Sequence, residues 1–99
     1  MIDIHILKEH IERIEPAQSI ELKNTYGETT LEITKTASGL IFGLSEPTAS
    51  FNALVHITEP EMKIINGSLN IINADNETGR WNTLMTIYPT HFFSMEVIE

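Results

Sequence analysis

Apolar residues recur along this chain with two periods, and the period changes at Pro16. Before it, Ile4, Leu7, Ile11 and Ile14 follow one another at steps of 3, 4 and 3 residues, which is one face of an α-helix. Asp3 is placed to cap that helix, its carboxylate facing the positive end of the dipole. Lys8 and Glu12, like Glu9 and Arg13, stand at i,i+4 on the polar side. Pro16 pushes Glu15 out of the α region, so the spacing predicts a helix within residues 1–15. Ile2, Ile4 and Ile6 also alternate, so the first six residues could instead be a strand that only later turns helical.

After Pro16 the period is two, and residues 19–98 read as antiparallel β structure. Ile20, Leu22 and Tyr26 alternate with Glu21, Lys23 and Thr25, Gly27 marks a turn, and Leu31 and Ile33 alternate with Glu32 and Thr34. That is a hairpin with one face in water. Leu40-Ile41-Phe42-Gly43-Leu44 is an apolar run, read as a strand covered on both sides with Gly43 at a bulge or a close approach. Phe51, Ala53, Val55 and Ile57 form an inward set, with Asn52, Leu54 and His56 facing the other way. Further strands are expected at Trp81–Tyr88 and His91–Ile98. Pro16, Pro47, Pro60 and Pro89 all fall between elements, as a sheet requires.

The best-specified element is the hairpin around Asn66-Gly67. Asn-Gly between apolar runs favours a two-residue type I′ turn, in which both central residues need φ > 0. Ile65 then faces Ser68, Ile64 faces Leu69 and Met62 faces Ile71, which puts Met62, Ile64, Leu69 and Ile71 on one side. Lys63, Ile65, Ser68, Asn70 and Ile72 fall on the other. The expected fold is a single domain over residues 1–99, mainly β with an N-terminal α-helix, as an antiparallel jelly roll or small barrel. The alternative is an α+β arrangement, the helix packed on a curved antiparallel meander.

Composition narrows function more than it names it. The chain has 99 residues, 41% of them hydrophobic, and a formal charge of −8. With six Lys and Arg in all, it is poorly equipped to hold phosphates, so nucleic acid is not the expected ligand. There is no cysteine, hence no disulfide, thiolate metal site or cysteine nucleophile. No basic segment leading into a long apolar run opens the chain and no run approaches membrane-spanning length, so a cytoplasmic protein without a membrane contact is expected. From Thr36 to Thr58 the only charged residue is Glu46, and from Trp81 to Met95 there is none. Strands there need cover from a second sheet, the helix or another subunit, and a homo-oligomer is expected.

The segment Glu59-Pro60-Glu61-Met62-Lys63-Ile64-Ile65-Asn66-Gly67-Ser68-Leu69-Asn70-Ile71, followed by Trp81 and Pro89-Thr90-His91, resembles the cupin superfamily. It is most similar to the small single-domain cupins of the pyrimidine/purine nucleoside phosphorylase type. The likeness spans residues 55–91 with gaps. The His-x-His of metal-binding cupins stands here as His56-Ile57-Thr58, so the resemblance implies a metal-independent enzyme acting on nucleosides.

Candidate chemistry is sparse. His56 and His91 lie on strands that a jelly roll could bring together, and with Glu59 or Glu61 they would form a His/His/carboxylate metal set. His5, Glu9 and Glu12 share one helix face, where solvation is the ordinary fate of such residues. No Gly-x-Ser-x-Gly elbow is present. For an enzyme the catalytic candidates are His91, His56, Lys63 and Arg80, the two cations for phosphate. No cofactor is expected. The leading reading is a small acidic, non-catalytic inhibitor, immunity-type or adaptor protein holding a more basic protein. Glu9, Glu12, Glu15, Asp75 and Glu77 would steer the partner, and Trp81 would contact it. The alternatives are the nucleoside-acting cupin enzyme and a structural subunit of a homo-oligomer.

Overall fold

The structure, a computed structural model, describes residues 1–46, 51–74 and 81–99, with the backbone alone at Glu46, Phe51, Asn52, Ala74 and Trp81. The chain is mainly β with one N-terminal helix, as expected from the change of period at Pro16. Helix α1 (Ile4–Arg13) is followed by strands β1 (Ser19–Lys23), β2 (Thr29–Lys35), β3 (Gly39–Glu46), β4 (Phe51–Thr58), β5 (Glu61–Ile65), β6 (Ser68–Ala74), β7 (Trp81–Ile87) and β8 (Ser94–Ile98). Among the described residues no helix is long and apolar enough to cross a membrane.

Asp3 decides the ambiguity over the first six residues. Its Oδ1 accepts hydrogen bonds from the backbone N–H of His5 at 2.9 Å and of Ile6 at 3.2 Å, satisfying two of the donors that a helix start leaves open. Ile2 precedes the helix and is buried, while Ile6 sits exposed on the outer side. The helix ends short of residue 15, with Ile14 extended and its N–H bonded to the His10 carbonyl at 2.9 Å. Pro16 and Ala17 then turn the chain into β1, the Gln18 N–H closing on the Glu15 carbonyl at 3.0 Å.

The strands form two antiparallel sheets, one of order β4-β3-β2-β1-β8 and one of order β5-β6-β7. They are not closed into a barrel. Each is built of consecutive hairpins, and β8 returns to lie beside β1 rather than joining the second sheet. Glu59 (φ 48°) and Pro60 carry the chain from β4 across to β5. The resulting arrangement has the helix and the small sheet laid on one face of the large one. Its single core draws Leu7 and Ile11 from α1, Ile20 and Leu22 from β1, Ile33 from β2, Phe42 from β3, and Leu69 and Ile71 from β6. Alternation therefore holds on the inner face of the large sheet, and its polar partners point outward.

The Asn66-Gly67 hairpin has the expected register, with Ile65 opposite Ser68, Ile64 opposite Leu69 and Met62 opposite Ile71. Both central residues have positive φ, 52° and 77°. Its second face departs from expectation at two positions. Asn70 is buried with its Oδ1 accepting from Thr86 Oγ1 at 3.0 Å, and Ile72 is buried outside the main core cluster. The β6–β7 ladder shifts between Ile71 and Ile72, which lets two successive isoleucines both leave solvent.

Three further expectations are corrected. Tyr26 is not a strand residue; β1 ends at Lys23, and Tyr26 lies exposed in a turn organised by the Asn24 side chain. The segment from His91 is not strand either, because Pro89 opens a 3-10 turn at Pro89–His91 and pairing resumes only at Ser94. Gly43 sits at no bulge, its strand pairing in unbroken register on both sides. The close approach belongs to Gly39, where a β-carbon would run into the Ile57 carbonyl.

Candidate functional site

Among the described residues, the face of the large sheet away from the core holds a row of acidic side chains on paired positions. Because Ile20 and Leu22 of β1 and Leu31 and Ile33 of β2 point inward, Glu21 and Glu32 point outward. The register sets Glu21 directly opposite Glu32 on one side and opposite Glu96 of β8 on the other. The same row continues from Glu32 to Gly43 and from Gly43 to Leu54. One line across all five strands thus reads Glu96, Glu21, Glu32, Gly43, Leu54.

An open groove of about 670 Å³ passes over Gly43 between the carboxylates and Leu54, lined also by Thr29 and Ser45. Glu21 is half-buried, whereas Glu32 and Glu96 are exposed. Thr29 Oγ1 donates to Glu21 Oε2 at 3.3 Å and Thr34 Oγ1 to Glu32 Oε1 at 3.4 Å. Lys23 Nζ meets Glu96 Oε2 at 3.2 Å. One ammonium group thus offsets one end of a row of three carboxylates. Like charges directly opposite on neighbouring strands are destabilising, by up to about 1 kcal/mol per pair at an exposed sheet face. The row gives this face of the sheet a concentrated negative strip.

The residues singled out from the sequence are dispersed. His56 lies on the outer face of β4, its Nε2 3.5 Å from Thr36 Oγ1. His91 lies in the 3-10 turn leading to β8, its ring 5.1 Å from that of Tyr88 and 6.4 Å from that of Phe92. Since β4 and β8 are opposite edges of the large sheet, the strand spacing separates the two edges by about 19 Å. Glu61 and Lys63 are on the other sheet, on β5. The expected His56/Glu61/His91 metal set is therefore not assembled, and neither is the His56/His91/Lys63 catalytic set. The space between the sheets, where a barrel would hold its site, is filled by Phe42, Ile33, Leu69 and Ile71. Among the described residues no group of three or more His, Asp or Glu is arranged to hold a metal.

Glu9 and Glu12 are exposed on α1, where Glu12 pairs with Lys8 at 2.6 Å, and they line a shallow groove with His5 and Ile64. Glu15 is exposed just past the helix. Asp75, Glu77 and Arg80 lie outside the described residues, as does the side chain of Trp81.

Glu21, Glu32 and Glu96 were not among the residues the sequence suggested. The alternation of β1 and β2 about the Gly27 turn was enough to place Glu21 and Glu32 on one face. Glu96 joins them only through the return of β8 to β1, a long-range pairing that no local signal marks. The chain matches no family model, no curated protein and no solved structure.

Proposed function

We propose that this chain is a non-catalytic binding protein that holds a more basic protein partner against the outer face of its five-stranded sheet. The observation that carries this reading is the row Glu96–Glu21–Glu32, three carboxylates on directly paired positions beside the groove at Gly43 and Leu54. A partner's Lys or Arg laid along the row would relieve a repulsion that the free protein bears, while its apolar part contacts Leu54. The remaining charge of the −8 molecule, including Glu9, Glu12 and Glu15 on and after the helix, adds to the long-range attraction. Such fields raise the association rate and fall away with salt more than they tighten the complex.

The test is affinity capture from the cell that makes the protein, at low and at physiological salt, with wild type and with Glu21→Gln/Glu32→Gln/Glu96→Gln. A basic protein retained by wild type, released by salt and not retained by the triple variant supports the reading. Equal retention by the two chains overturns this placement of the site. Phosphate-dependent release of free base from a nucleoside panel overturns the non-catalytic reading and returns the chain to the enzyme class that the cupin resemblance implies.

A further inference from the structure

Four strands end the two sheets: β4 and β8 on the large one, β5 and β7 on the small one. An edge strand presents a row of unpaired backbone N–H and C=O groups, and proteins ordinarily guard it with charge, proline, a bulge or brevity. Three of these edges are guarded. β8 is five residues long and carries Glu96; β5 is five residues long and carries Glu61 and Lys63. β7 has no charge, but it is bulged. Ile71 faces Met85 and Ile72 faces Thr83, so Leu84 between them has no partner and the edge is kinked.

β4 has none of these protections. Its eight residues pair with β3 without a break, from Phe51 opposite Glu46 to Thr58 opposite Gly39. The sequence Phe-Asn-Ala-Leu-Val-His-Ile-Thr contains no proline and no Asp, Glu, Lys or Arg. Leu54 is 81% exposed on the outer face and Val55 38% exposed on the inner one. Among the described residues, the charge-free stretch noted in the sequence is thus a sheet edge that pairs on one side only.

We propose that β4 is the contact through which two copies of this chain associate, the two strands pairing antiparallel about a two-fold axis perpendicular to the sheet. One continuous sheet would then run through both molecules, and the edge would disappear. Charge favours this edge over the others. Two copies at −8 each repel least where they meet far from their carboxylates, and among the described residues β4 is the long, unbroken, uncharged edge. Across such a junction the two Glu32 side chains stand five strand spacings apart, about 24 Å, whereas the Debye length is about 8 Å at physiological salt. Pairing through β8 would instead bring two copies of Glu96 onto adjoining strands. A basic partner finds no carboxylate on β4 to hold.

The symmetry has a consequence for the outer face. A two-fold perpendicular to the sheet keeps both outer faces on the same side, so two acidic rows would be presented together. The association itself does not depend on what those rows bind, and it stands or falls separately from the reading above.

The test is the mass in solution by light scattering, at micromolar concentration, of wild type, Leu54→Lys, Leu54→Glu and an equal mixture of the two variants. Leu54 is exposed enough that either change leaves the monomer folded, which far-ultraviolet circular dichroism checks. Wild type is expected at twice the monomer mass, each variant alone at the monomer mass, and the mixture at the dimer mass again. A monomeric wild type overturns the proposal, as does a dimer that both variants leave intact. For a variant that does not fold, concentration-dependent amide-exchange protection of β4 in wild type takes its place. Protection confined to other strands overturns the proposal.

Discussion

Gly43 and Leu54 face each other across β3 and β4, and the leucine side chain lies beside the position that a residue-43 side chain would take, with Cδ2 3.4 Å from an added β-carbon. That is ordinary van der Waals contact, and Gly43 has no positive φ to protect. Gly43→Ala is therefore expected to stabilise the protein by about 0.5 kcal/mol, the strand-interior cost of glycine being relieved. The same change at Gly39 is expected to cost about 2–3 kcal/mol, because the new methyl meets the Ile57 carbonyl and must push β3 from β4. Urea denaturation of the two variants reads the opposite signs directly.

A second glycine substitution concerns a position where glycine is absent. The Glu15-Pro16-Ala17-Gln18 turn closes with the Gln18 N–H on the Glu15 carbonyl, and Ala17 has φ 74°. Proline at the second position and a positive φ at the third are the features of a type II turn, which favours glycine there. Ala17→Gly should raise stability by about 0.5–1 kcal/mol despite the extra freedom it gives the unfolded chain. An unchanged or lower melting temperature would show that the strain at Ala17 is no larger than the entropy that glycine adds to the unfolded chain.

At Gly67 the sign reverses. With φ 77°, the residue occupies the left-handed half of the Asn66-Gly67 turn, and no neighbouring atom lies within 4 Å of an added β-carbon. The β-carbon itself thus meets no crowding from outside the turn, and backbone strain is the main cause of any loss. Gly67→Val is expected to cost about 1–3 kcal/mol, seen as a lowered thermal midpoint. Retention of the wild-type midpoint would mean the turn can change type without disturbing the Met62–Ile71 pairing.

These positions show which parts of the fold the sequence made legible. Helix α1 and the β5–β6 hairpin were readable because their signals are local: a capping aspartate, i,i+3 and i,i+4 spacing, and Asn-Gly between alternating runs. Gly43 and Gly39 were not distinguishable, since glycine is required where another backbone comes close, and only tertiary structure says which one does. The charge-free stretches misled for a related reason. A strand that is covered and a strand that waits at an edge can both lack charge, so the strands carrying Leu54 and Leu84 read as needing cover although both leucines are exposed. His56 and His91 were joined by assuming a barrel, and two open sheets leave them near opposite edges. The acidic row was half visible. Its Glu21 and Glu32 follow from the β1–β2 hairpin, and Glu96 required the pairing of the last strand with the first.

Glu21 is the member of that row with a carboxylate opposite it on both sides. Replacing it by glutamine removes its charge from both like-charge pairings, while the amide oxygen can still accept from Thr29 Oγ1. The Lys23–Glu96 pair at 3.2 Å stays intact, because Lys23 bonds the neighbouring carboxylate and not this one. Glu21→Gln is therefore expected to stabilise the free protein by about 0.5–1 kcal/mol at low salt. Added salt should stabilise the wild type and shrink the difference, since screening acts on the repulsion that the substitution removes. Chemical denaturation with urea, which leaves ionic strength free to vary, measures both trends. A variant less stable than wild type at every salt concentration would mean that the row is held together by bonds to Glu21, and that its charge is no cost to the fold. Should the expected gain appear together with weaker capture of a basic protein, the same carboxylate would be shown to trade stability for recognition.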